Sequence, residues 1–161
     1  ANGFYLFADR DVDEDLLRAA AAVIYEPSYI GLESALAYYG LIPEAVFQMI
    51  SLTTRRNKVF RTPVGDFRYH TIKREYFFGY QAVRSEAGWF LISDPEKTLL
   101  DTLYFLPSGD RKDVLTELRL NIPAMRGMLD FEKMSGYLTV FASPKLDRGF
   151  KLLKEMIDDS P

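Results

Sequence analysis

The chain predicts an α+β domain: a largely antiparallel sheet of four to six strands, flanked by N-terminal helices and a C-terminal helical segment. Three observations carry that expectation. Apolar residues recur at helical spacing between Asp13 and Tyr39. The period then shifts towards two from Ala45 to Ile92, and helical spacing returns at Asp94-Pro95-Glu96. Helices kept apart from a run of strands mark an α+β arrangement rather than an alternating one.

Taken in order, Gly3-Phe-Tyr-Leu-Phe7 is a short aromatic run with strand character. Asp13 to Tyr25 follows as a helix, with Leu16, Leu17, Ala20, Val23 and Ile24 at helical spacing. Acidic residues crowd its first turn, where the helix macrodipole favours them, and Pro27 stops it. A second helix spans Gly31 to Tyr39, with Leu32, Ala35, Leu36 and Tyr39 on one face. Gly40 suits its C-terminal cap, and Pro43 lies just beyond.

Val46 to Thr53 reads as a strand buried in part on both faces. Lys58–Thr62 and Asp66–Ile72 flank Pro63-Val64-Gly65 as a hairpin. Tyr76–Val83 and Gly88–Ile92 form a second pair around Ser85-Glu86-Ala87. Connections this short argue for antiparallel pairing, since parallel neighbours need crossovers of roughly a dozen residues or more. Asp94-Pro95-Glu96 is a strong helix start, with an N-cap acceptor, proline at the first helical position and an acidic first turn. Leu99, Leu100, Leu103 and Leu106 make that helix amphipathic, and Pro107-Ser-Gly109 ends it. Further helices are expected over Arg111–Leu118, Asp130–Val140 and Lys145–Ile157. In the last, Leu146, Gly149, Phe150, Leu153, Met156 and Ile157 share a face.

At 161 residues the chain suits a single domain with a real core, and 48% hydrophobic with 27% charged residues argues against disorder. The absence of cysteine excludes disulfides and thiolate metal sites, and is compatible with a cytoplasmic setting. No apolar run approaches the ~18 residues of a membrane span, so no membrane partner is expected. Net charge is −3, but it is unevenly spread. Residues 51–75 hold Arg55, Arg56, Lys58, Arg61, Arg68, Lys73 and Arg74 against Asp66 and Glu75, a balance of +5. The other 13 basic and 21 acidic residues sum to −8.

Chemistry is sparse. His70 is the only histidine and reads as a half-exposed strand residue facing away from Tyr69. With one histidine and no cysteine, a structural zinc site lacks ligands, and no cofactor is expected. Neither a Gly-x-Ser-x-Gly elbow nor a phosphate-cradling glycine loop occurs, so no catalytic residue is assigned. Asp101, Asp110 and Lys112 could imitate a metal-dependent nuclease set. Yet Asp101 lies opposite Leu99 and Leu103, as an exposed helical position should, and Asp110 opens a solvated helix. Asp94-Pro-Glu-Lys97 is better explained as a cap than as a ligand set. The seven cations of residues 51–75, interleaved with Phe60, Phe67, Tyr69, Tyr76 and Phe77, are the best candidates for binding nucleic acid or another target. The competing explanation is a solvated outer face.

Several motifs occur in a specific order: Gly3-Phe-Tyr5, Tyr29-Ile-Gly-Leu-Glu-Ser-Ala-Leu-Ala-Tyr-Tyr-Gly-Leu-Ile-Pro-Glu44, Thr53 with the basic residues after it, Gly65-Asp-Phe-Arg-Tyr69, Tyr76-Phe-Phe-Gly-Tyr80 and Pro95-Glu-Lys-Thr-Leu-Leu-Asp101. Over residues 3–106 this series resembles the AbiEi family of bacterial abortive-infection antitoxins, also described as transcriptional regulators. Gly31 stands where relatives carry serine. The resemblance implies a non-enzymatic antitoxin domain, 1–161, that counteracts a nucleotidyltransferase-like toxin without requiring a direct complex. It also implies autorepression through operator DNA bound by an upstream winged helix, with residues 1–7 as the end of its wing. Alternatives are an oligomerisation or scaffold module, and a metal-dependent nuclease.

Overall fold

A computed structural model describes residues 12–43, 48–107 and 111–161. The strand expected near Gly3 and the position of Asp110 lie outside the described residues. The first helix, α1 (Glu14–Ile24), starts where Asp13 accepts a hydrogen bond from the Leu16 amide at 2.7 Å. A three-residue strand β1 (Ser28–Ile30) and helix α2 (Leu32–Tyr38) follow, and Gly40 ends the helix at φ +71°. Next come β2 (Gln48–Thr53), β3 (Lys58–Thr62) and β4 (Gly65–Thr71), then a single 3-10 turn at Arg74–Tyr76. A second hairpin, β5 (Tyr80–Ser85) and β6 (Gly88–Ser93), leads into α3 (Pro95–Phe105). The rest is helical: α4 (Arg111–Glu117), α5 (Ile122–Met128), α6 (Phe131–Phe141) and α7 (Pro144–Asp159).

The α+β class holds, but the sheet is mixed. Its order is β3-β4-β2-β1-β6-β5. Three pairings are antiparallel (β1 with β2, β3 with β4, β5 with β6), whereas β2–β4 and β1–β6 run parallel. The short-connection argument treated neighbours in sequence as neighbours in space. Instead, residues 54–57 carry the chain past one vacant position, and β4 fills that slot by folding back from β3. No helical crossover is needed, because the intervening strand itself makes the return.

Two elements were not anticipated. β1 is only three residues long and wholly buried, too short to show a period. α5 is two turns, started by Asn121, whose side chain accepts from Ala124 N at 3.2 Å. The strand expected from Tyr76 begins instead at Tyr80. Residues before it form the 3-10 turn, which lays Tyr76 and Phe77 across the sheet.

Side chains sort by strand parity. One sheet face joins Phe67, Tyr69, Phe90 and Ile92 to Ala20 and Ala21 of α1. The other face holds Tyr29, Ile50 and Leu52 under the 3-10 segment and Phe105. A third cluster packs Leu99, Leu100 and Leu103 of α3 against Met125, Met134, Phe141, Leu153 and Ile157 of the C-terminal helices. Each such fully buried side chain is worth about 1.5–3 kcal/mol of transfer free energy. Being covered by α2, α6 and α7, α3 is not a half-exposed amphipathic helix. Every residue from Glu96 to Leu103 is buried.

Candidate functional site: a cationic sheet edge and a buried ammonium

The seven candidate cations gather around the β3–β4 edge, although not on one plane. In the β3–β4 register Lys58 faces Tyr69 and Phe60 faces Phe67, so Lys58 shares the α1 side of the sheet. Val59 faces Arg68 and Arg61 faces Asp66, which puts Arg61, Arg68 and His70 on the opposite side. The charge therefore wraps around the edge strand.

Most of it converges at one end. Residues 54–57 are stitched to the end of β4: the Thr71 amide donates to Asn57 Oδ1 at 2.7 Å, and the Thr71 hydroxyl donates to the Arg55 carbonyl at 2.6 Å. This places Arg55, Arg56 and Lys58 beside the start of the Lys73-Arg74 segment, while Arg61 lies towards the hairpin turn and Arg68 between. All are exposed except Arg68, which is half-buried and donates from Nε to Gln48 Oε1 at 3.2 Å. Lys73 lies over the Tyr76 ring at 5.6 Å and Lys58 over Phe60 at 5.7 Å. None of the seven forms an ion pair with a described carboxylate. His70 is half-buried on the Arg68 side, with its ring 6.1 Å from Phe105. Burial first, and then Arg68, lower its proton affinity below the ordinary histidine range.

A second polar constellation escaped the sequence. Asp101, expected on an exposed face, is fully buried, and so is Lys97 one turn before it. Lys97 Nζ sits 2.9 Å from Asp101 Oδ1; this contact is ionic, and Oδ1 receives no directed hydrogen bond. The ammonium donates to the Tyr29 hydroxyl at 3.0 Å and to the Tyr76 carbonyl at 2.7 Å, while Tyr29 donates to Asp101 Oδ2 at 2.7 Å. Rings of Phe78, Tyr29 and Phe141 enclose the ammonium at 4.5, 5.2 and 5.3 Å. Burial pushes the Asp101 carboxyl up to about 6, against the pull of Lys97. Burial likewise lowers Lys97 and raises the Tyr29 hydroxyl. The only signal in the sequence was Lys-x-x-x-Asp spacing inside an apolar helix.

This core is closed to solvent, so Asp101 cannot present a carboxylate to a substrate or a solvated metal. Its polar atoms join β1, the 3-10 turn and α3. Asp94 extends the connection to α6. One carboxylate oxygen caps the Lys97 amide at 2.7 Å, and the other accepts from the Tyr137 hydroxyl and contacts Lys133 at 3.2 Å. The cap expected at Asp94 is thus present and has a second task. Tyr39, expected on the same helix face as Leu32, Ala35 and Leu36, donates to the Ser93 carbonyl at 2.7 Å, and Tyr38 lies under the Arg18 guanidinium at 4.7 Å. Compared with protein-family models and with curated proteins, the chain finds no match in either.

Proposed function

We propose that this chain is the non-enzymatic antitoxin domain of a bacterial abortive-infection system, counteracting a nucleotidyltransferase-like toxin, in a cytoplasmic protein that also represses its own operon. The ordered motifs of residues 3–106 support the family reading. One observation carries the mechanism: a cluster of mostly solvent-facing cations that, among the described residues, pair with no carboxylate, in a chain that is otherwise acidic. Exposed like charges add nothing to the stability of a sheet edge, so an external polyanion is the natural partner for them. On this reading the surface engages nucleic acid, or the target that the toxin also uses, and operator DNA is left to a winged helix.

The test is growth rescue on co-expression with the cognate toxin. The combined Arg55→Glu, Arg56→Glu and Arg68→Glu variant should lose rescue while keeping its circular dichroism spectrum and thermal midpoint. Undiminished rescue would remove this surface from the mechanism.

A second reading, self-association as a scaffold, is favoured by the far edge of the sheet. There β5 carries Arg84 as its only charge, and Trp89 on β6 is 59% exposed beneath it.

A further inference from the structure

Arg55 is held differently from the other exposed cations. Its guanidinium carbon lies 4.0 Å from the centre of the Tyr25 ring, and Nη1 donates to the Glu26 carbonyl at 3.2 Å. The backbone beneath is fixed as well. The Arg55 amide donates to Thr53 Oγ1 at 3.1 Å, and the Arg55 carbonyl accepts from Thr71. Tyr25 is anchored in turn: its hydroxyl donates to the Arg56 carbonyl at 3.1 Å, and its ring lies 5.2 Å from buried Tyr69 and 5.7 Å from Phe60. The result is a chain of contacts that starts in the core at Tyr69, passes through the tilted ring of Tyr25 and ends at an exposed guanidinium.

An arginine laid over an aromatic ring leaves one flat, weakly hydrated face towards solvent, and flat π-systems stack on such a face. Here its orientation is fixed before any ligand arrives, which lowers the ordering cost of binding. Arg56 and Lys58 beside it, and Lys73 and Arg74 past the end of β4, supply charge for phosphates. A flat ring joined to phosphodiesters describes a nucleotide in a strand. In a duplex the base faces are already taken by their neighbours, so only an unpaired strand can use the platform.

We propose that Arg55, backed by Tyr25, is a stacking platform for an unpaired base of a single-stranded nucleic acid whose phosphates lie along Arg56, Lys58, Lys73 and Arg74. This rests on the reading of the cationic edge as a nucleic-acid surface and narrows it to one kind of strand.

Fluorescence anisotropy with labelled oligoadenylate, its DNA counterpart and a blunt duplex tests it across a salt series. RNA and DNA strands are run side by side to identify the preferred sugar. Arg55→Lys keeps the charge and removes the plane. It should weaken the tighter single strand about tenfold or more, with the salt slope and the duplex affinity unchanged. Arg56→Gln should instead reduce the salt slope by about one on every probe. Unchanged single-strand affinity in Arg55→Lys overturns the platform, while a surviving Arg56→Gln effect keeps the cationic surface. Failure of the parent protein to bind any probe overturns both.

Discussion

The Lys97–Asp101–Tyr29 trio shows how far a residue's position can depart from what its neighbours in sequence suggest. Asp101 lies opposite two leucines on a helical projection, which marks an exposed position only if one side of the helix faces water. Here α3 is covered on every side, and each buried charge is compensated by its partners rather than by solvent. Removing one member strands the others. Asp101→Ala should lose about 3–5 kcal/mol in urea unfolding, whereas the triple replacement Tyr29→Phe, Lys97→Met and Asp101→Leu should stay close to the parent. Asp101 binds its proton more tightly folded, at about 6, than unfolded, at 3.8, so its contribution favours folding most below about 4 and fades as pH rises through 6. Relative to Asp101→Asn, which keeps Lys97 and Tyr29 in place, the parent should gain stability as pH falls from about 7 to about 4, and a flat or opposite difference would contradict this account. Gly79 belongs to the same arrangement. A Cβ there would lie 2.8 Å from Lys97 Cγ, so the glycine at φ +74° is what lets the chain pass over the buried lysine.

Among the elements, those legible in the sequence are the ones whose boundaries are chemical. Asp94-Pro95 announces α3, Asp13 announces α1, and Asp130 begins α6 by accepting from the Lys133 amide at 3.1 Å. The strand pairings were less legible because pairing is decided at long range: β4 lies beside β2 on account of a slot in the sheet, which no local residue encodes. β1 was missed for its length, since three residues show no period, whereas α5, no shorter than α2 or α4, was missed because the poor helix formers Pro123 and Gly127 fall within its seven residues. The charged surface was legible as composition, but its wrapping around two faces needed the register. Asp94 gives the sharpest test at this scale, because it caps α3 and binds α6 together. Asp94→Ala should cost about 2–3 kcal/mol, more than a surface N-cap alone at roughly 1 kcal/mol. Tyr137→Phe should account for part of that loss. If Asp94→Ala proves no worse than an ordinary cap deletion, the link to α6 adds nothing.

Across the molecule, the two edges of the sheet formed by the described residues are treated in opposite ways. The β3 edge carries Lys58 and Arg61, the kind of charge that deters another strand from pairing there. The β5 edge has six residues with one cation, and Ala82 is exposed on it. If copies of the chain associate, they should do so through β5. The parent would then sediment as a dimer and Ala82→Lys as a monomer, while a monomeric parent would end the scaffold reading. The sheet order also bears on how the binding surface can change. Residues 58–71 form two consecutive strands at one extremity, and the remaining order β2-β1-β6-β5 contains no pairing that depends on them. The ribbon is in effect a cassette. Its outward side chains can drift, or be exchanged for another set, without redrawing the hydrogen-bonded frame of the other four strands.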